Sequence, residues 1–151
     1  MLLAVIFAMT AGIEAGVNQP LIGFDDLTAG TVFNFQLEQG AYFSDLGLGI
    51  QGAFYQGKNQ AYSQHAYGLR LLAVKSNWLF SPVLEAGGDY IRRQIGSAQE
   101  TGLSFNYLLG IRVNFRHQLL TIYPFIYYEG VTDLHVNEGF IGIKIGIKHE
   151  L

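Results

Sequence analysis

Apolar residues alternate with small or polar ones over stretches far longer than an ordinary globular strand, and this limits the possible folds more than any other feature. From 103 to 115, Leu103, Phe105, Tyr107, Leu109, Ile111, Val113 and Phe115 share one face, and Ser104, Asn106, Leu108, Gly110, Arg112 and Asn114 share the other. A period of two is that of a β-strand. Globular strands usually run about 5 or 6 residues, whereas a tilted strand crossing a bilayer needs about 9 to 11. Length and alternation together point to a membrane-spanning β-barrel.

Composition agrees. The chain has 151 residues, the length of one domain, and only 14% are charged while 50% are hydrophobic. Soluble proteins average about 25% charged residues, so there is little charge here to cover a water-facing surface. The 19 Gly, 9 Tyr and 11 Phe suit a barrel with small inward residues and aromatic interfaces, although soluble all-β proteins share such counts. A net charge of −3 gives no basic footprint, which sets nucleic acid aside as a partner. The absence of Cys excludes thiol catalysis, disulfides and Cys-based metal sites. The apolar run Met1 to Met9 is too short for a membrane helix, which needs about 20 residues. It reads either as a signal-peptide remnant, without a basic start or a clean cleavage site, or as the approach to a first strand. The strand reading is favoured from about Thr10.

Alternation gives eight candidate strands, at 8 to 18, 31 to 38, 41 to 55, 65 to 75, 77 to 90, 101 to 115, 118 to 128 and 139 to 149. Short connections fall at Gln39-Gly40, Ser76-Asn77 and around Arg116-His117; longer ones run Gln19 to Gly30, Gln56 to Gln64, Ile91 to Glu100 and Glu129 to Glu138. An even strand count, with short turns alternating with longer loops, is the pattern of an outer-membrane meander. In this architecture the chain resembles, over almost its whole length, the small eight-stranded bacterial outer-membrane barrels of the OmpA and OmpX kind. No family-specific motif accompanies the resemblance. It implies an all-β, eight-stranded antiparallel up-and-down transmembrane β-barrel, monomeric in the bacterial outer membrane, with periplasmic termini and four outer loops. It also implies outer-membrane lipids, including lipopolysaccharide, as neighbours, and the barrel-assembly machinery as a partner during insertion. The face shared by Ile143, Ile145, Ile147, His149 and Leu151 resembles in part the terminal insertion signal of such barrels, which usually ends in Phe.

Periodicity alone leaves open which face is inside, since a soluble lipocalin-like carrier of a small apolar ligand also alternates. Volume decides. An eight-stranded barrel has room only for its own side chains or one small ligand, and the large apolar face would overfill it. Turned outward, the same face becomes a lipid belt. Aromatic girdles are then expected at the two interfaces, with Tyr42, Trp78 and Phe115 at one end and Phe54, Tyr67, Tyr90, Phe105 and Tyr128 at the other. Pro82 and Pro124 fall inside strands of a sheet without edges, which predicts bulges there.

The inward positions then include Glu14, Asp45, Arg70, Glu85, Asp89, Arg112, Lys144 and Lys148. Charges in so narrow a lumen must be paired. The expected arrangement is an ionic plug, with Arg70, Arg112 and Lys144 bridging Glu14, Glu85 and Asp45 beside Tyr123 and Tyr127; a gated pore is the alternative. Lipid-modifying enzymes, such as lipid A acyl hydrolases or transferases, also exist on small barrels. Ser63 and His65 in one loop, with Asp133, His135 and Glu138 in another, are the candidate set. Their spacing matches no hydrolase motif, and His65 with His135 alone makes a poor metal site. The expectation is a non-enzymatic structural or surface-interaction protein without cofactor or metal.

Overall fold

A computed structural model describes residues 9–22, 30–39, 45–57, 62–75, 77–132 and 137–151. The question of how residues 1 to 8 behave, and the placement of Tyr42, Lys58, Asp133 and His135, lie outside the described residues. Nine strands follow one another: β1 (Met9–Ile22), β2 (Gly30–Gln39), β3 (Asp45–Gln56), β4 (Tyr62–Val74), β5 (Phe80–Ile95), β6 (Ala98–Val113), β7 (Phe115–His117), β8 (Leu120–Thr132) and β9 (Asn137–Glu150). Each pairs antiparallel with its neighbour in sequence, except that β6 pairs with β8 as β7 does, and β9 returns to β1. The sheet is therefore closed. It is an eight-stave up-and-down barrel in which β6 and β7 form a single stave with a break at Asn114.

Prolines explain the irregularities, but not as bulges. The β6 ladder to β8 stops at Arg112 opposite Phe125, and β7 resumes in the same register with Phe115 opposite Ile122. Pro124, which has no N–H to give, falls in that gap. Pro82 lies just past the end of the β4–β5 ladder, whose last pair is Val74 with Val83. The Lys75 carbonyl there accepts instead from the Ser81 hydroxyl at 2.6 Å and the Trp78 N–H at 3.2 Å. The register shift the sheet does contain lies between Pro20 and Ile22, where β1 meets β9.

Strand lengths exceed the sequence boundaries on the long-loop side. The stretch Ile91 to Glu100, expected as a loop, is strand on both arms around a tight turn at Gly96 and Ser97. Gly96 supplies the left-handed conformation, φ 57°, that the turn requires. The short turn expected around Arg116-His117 sits one step later, at Gln118 and Leu119, with Gln118 at φ 54°.

Burial alternates residue by residue and runs opposite to that of a soluble protein. Ile13, Val17, Phe33, Phe35, Leu48, Ile50, Leu69, Leu71, Leu84, Leu109, Ile111, Ile126, Ile143 and Ile145 are exposed, while Glu14, Gln36, Arg70, Glu85, Arg112 and Lys144 are buried. A contiguous exposed apolar belt far exceeds what a water-soluble monomer carries. It is the surface a transmembrane barrel turns to lipid. The described girdle residues Phe54, Tyr67, Trp78, Tyr90, Phe105 and Phe115 are exposed, and Tyr128 is half-buried against Tyr107, their ring centroids 6.3 Å apart.

Candidate functional site

The lumen holds the chemistry of this protein, and parity puts it there. Once Phe33, Phe35 and Leu37 face outward, Asn34, Gln36 and Glu38 must face inward on β2. The same rule brings Glu14 from β1, Arg112 from β6, Tyr123 from β8 and Lys144 and Lys148 from β9 to the half of the barrel near the short turns.

Glu14 and Arg112 form the centre of this lower cluster. Arg112 donates to Glu14 at 2.9 Å, to Glu38 at 2.6 Å and to the Gln36 amide oxygen at 3.0 Å. Its guanidinium also lies over the Tyr123 ring, 4.5 Å from the centroid. Glu14 further accepts from the Tyr123 hydroxyl at 2.9 Å and from the Asn34 and Gln36 amides at 3.2 Å each. Lys144 approaches Glu14 to 3.7 Å and stands 4.5 Å from the Tyr127 ring centroid, and Lys148 donates to Glu38 at 2.9 Å. Each of these buried ions faces an opposite charge and Glu14 is further met by neutral donors, while the Lys144 ammonium makes no hydrogen bond among the described residues. The tyrosine rings fit because glycine faces them. Gly146 is paired opposite Tyr123, and a Cβ on Gly146 would overlap the ring.

A second cluster lies farther along the lumen. Arg70 donates to Glu129 at 2.8 Å, to Asp89 at 3.0 Å and to the Gln51 amide oxygen at 3.3 Å. Beyond it Tyr55, Val32, Ala53, Ala66, Ile91, Val131 and Phe140 form an apolar layer, with the Tyr55 and Phe140 rings 5.0 Å apart. A third ionic tier closes the long-loop end, where Arg93 donates to Glu138 at 2.9 Å and to Gln64 at 3.1 Å.

Several expectations need correction. Glu85 is buried on β5 but makes no ion pair with Arg112; neither of its carboxylate oxygens has a hydrogen-bond partner among the described residues. The reason is register: Arg112 is paired opposite Ser81 and Glu85 opposite Leu108, and Arg112 reaches across the lumen to β1 and β2 instead. Asp45 is half-buried at the start of β3, paired opposite Val74, whereas Arg70 stands level with Gly49. Sequence reading missed Glu38, Glu129, Arg93 and Glu138. Glu38 was legible from the parity of its strand; the others sit on strand extensions read as loops. The described members of the nucleophile and base set do not come together either. Ser63 and His65 lie on β4 with outward parity, whereas Glu138 points inward to Arg93. No group of three or more metal-ligating side chains occurs among the described residues.

With this geometry in hand, the comparisons with known proteins bear on the fold. No family model and no curated protein matches the chain. Solved structures do. The N-terminal β-barrel domain of OprF from Pseudomonas aeruginosa aligns over 92% of this chain and 96% of its own, with a TM-score of 0.68 at 13% identity. Ail, the attachment invasion locus protein of Yersinia pestis, aligns over 94% and 97%, with a TM-score of 0.56 at 14% identity. The chain has the fold of the small eight-stranded outer-membrane barrels. Neisserial surface protein A shares it as well, over 96% and 97% of the two chains, with a TM-score of 0.55 at 12% identity. At such low identity the likeness lies in strand number, order and closure.

Proposed function

We propose that this protein is a monomeric integral protein of a bacterial outer membrane, with a structural or surface-interaction role and no enzymatic activity. The observation that carries the reading is the inverted barrel: an apolar wall around a lumen filled by three ionic tiers and an apolar layer. Among the described residues the lumen is filled by these tiers and rings, which argues against the lipocalin-like alternative. Opposite placement of Ser63 and Glu138 across the wall argues against the lipid-modifying one. The surface role rests on the β5–β6 hairpin, whose arms at the long-loop end expose Arg92, Gln94, Gln99 and Glu100. Two of the similar structures are named as a surface protein and an attachment protein, which agrees with the proposal. Insertion by the barrel-assembly machinery, with outer-membrane lipids including lipopolysaccharide as neighbours, completes it.

Cell fractionation tests the location, and semi-native gel mobility of the unheated and heated protein tests the barrel. The expected result is recovery in the outer-membrane fraction as a monomer that migrates as a folded barrel until boiled. A chain that is folded and soluble without detergent would overturn the reading.

A further inference from the structure

One position on the lipid-facing side breaks the pattern of the rest. Among the described strand residues of outward parity, Arg92 on β5 is the one Asp, Glu, Lys or Arg. It lies in the half near the long-loop end, two residues beyond the outward Tyr90. Beside it, Ser63, His65, Tyr67, Gln94 and Arg92 line a groove of about 330 Å³. Register explains the grouping, since His65 is paired opposite Arg92, Ser63 opposite Gln94 and Tyr67 opposite Tyr90. The His65 ring is held between two aromatics, 4.8 Å from Phe54 and 6.5 Å from Tyr67 between centroids. Arg92 donates to the Gln99 amide oxygen at 3.1 Å, which uses one of its five N–H donors, and it has no ion-pair partner among the described residues.

We propose that this groove binds the phosphate of an outer-leaflet lipid headgroup, the phosphorylated sugar of a lipid A type molecule. The inference rests on the outer-membrane reading above and adds to it a specific sector of the wall. A guanidinium with free N–H groups matches the paired oxygens of a phosphate, and the His65 ring N–H, the Gln94 amide and the Ser63 hydroxyl add neutral donors. The groove faces outward and continues the apolar belt through Tyr67, Leu69 and Tyr90, all exposed, so acyl chains extending from a bound headgroup would lie along that belt. A soluble anion would have no use for such a floor. A charged side chain on the lipid face is costly at the midplane and cheap near the interface, which fits Arg92 to the headgroup layer alone.

The test uses the full chain in detergent micelles, titrated with bisphosphorylated lipid A, with fully dephosphorylated lipid A and with inorganic phosphate, read by native mass spectrometry. Bisphosphorylated lipid A is expected to be retained at one copy, with its Kd raised about tenfold or more by Arg92→Gln and further by Arg92→Gln with His65→Gln. Arg116→Gln, at the other mouth, should leave it unchanged. Heat-modifiable gel mobility checks that every variant is folded. The proposal is overturned by equal retention of dephosphorylated lipid A, by an unaltered Kd in the double variant, or by an equal loss in Arg116→Gln. Inorganic phosphate that competes at the lipid's own concentration would overturn the lipid assignment. Failure of the outer-membrane reading would look different, as a folded protein recovered outside the outer-membrane fraction.

Discussion

At the residue scale, the lumen separates charges that are held by partners from one that is not. Glu14 is met by Arg112, Lys144 and three neutral donors, so Glu14→Ala removes the carboxylate facing Lys144 and one of the two that hold Arg112, and is expected to cost about 3 to 5 kcal/mol in urea unfolding from lipid vesicles. Glu85 has no such set, and Glu85→Gln should cost less than about 1 kcal/mol in the same measurement, since no pair is broken. Equal costs would mean that the contacts do not govern the energetics. Parity separates another pair of neighbours. Leu109 is 52% exposed and Leu108 1%. Leu109→Arg should cost about 2 to 4 kcal/mol if it lies near the midplane, as a charge on the lipid face does, and a well-tolerated Arg there would reverse the assignment of inside and outside. Which residues face inward could be read from alternation alone, because a period of two forces the choice once the bulky face is placed. Which inward charges touch could not. Arg112 spans the lumen to strands far away in sequence, and no local pattern encodes that reach.

At the scale of elements, sequence reading located all eight staves but misjudged where they stop. Turn and loop residues gave the estimate of strand ends, and the arms around Gly96 are polar enough to pass for loop: Arg92, Arg93, Gln94, Gln99 and Glu100 are all there. Yet the ladder runs in one register from Phe80 opposite Val113 to Ile95 opposite Ala98. Main-chain pairing continues beyond the apolar belt because β5 has partners on both sides, β4 as far as Ile95 and β6 throughout. Hydrogen exchange in micelles should therefore find the amides of 91 to 95 slow, as in a paired strand, and fast exchange throughout that arm would show that it is loop. The prolines likewise stop pairing where the sequence suggested bulges. Ser81 repairs one of the ends by donating to the Lys75 carbonyl, which the Trp78 N–H also reaches, so Ser81→Ala should destabilise by about 0.5 to 1.5 kcal/mol, the net worth of one hydrogen bond, with the fold retained.

At the scale of the whole molecule, the barrel divides its lumen into layers that block passage by different physics. The ionic tiers around Arg112, Arg70 and Arg93 fill cross-section and hold fixed charge of both signs, which water can in principle wet. The layer of Tyr55, Phe140, Val32 and Val131 between the Arg70 and Arg93 tiers is apolar and resists wetting. A file of water must cross both kinds, so the native protein should give at most small and infrequent events in planar-bilayer recordings, as expected where eight strands close on their own side chains. Shortening two rings separates the contributions. Tyr55→Ala with Phe140→Ala removes the facing pair while leaving every ion pair in place, and should raise conductance well above the native level, with selectivity set by the ionic tiers on either side. Neutralising Arg93 and Glu138 together should leave the apolar layer intact and conductance low. Steady conductance in the native protein, or a double ring variant as silent as the native one, would remove the apolar layer from the account of closure.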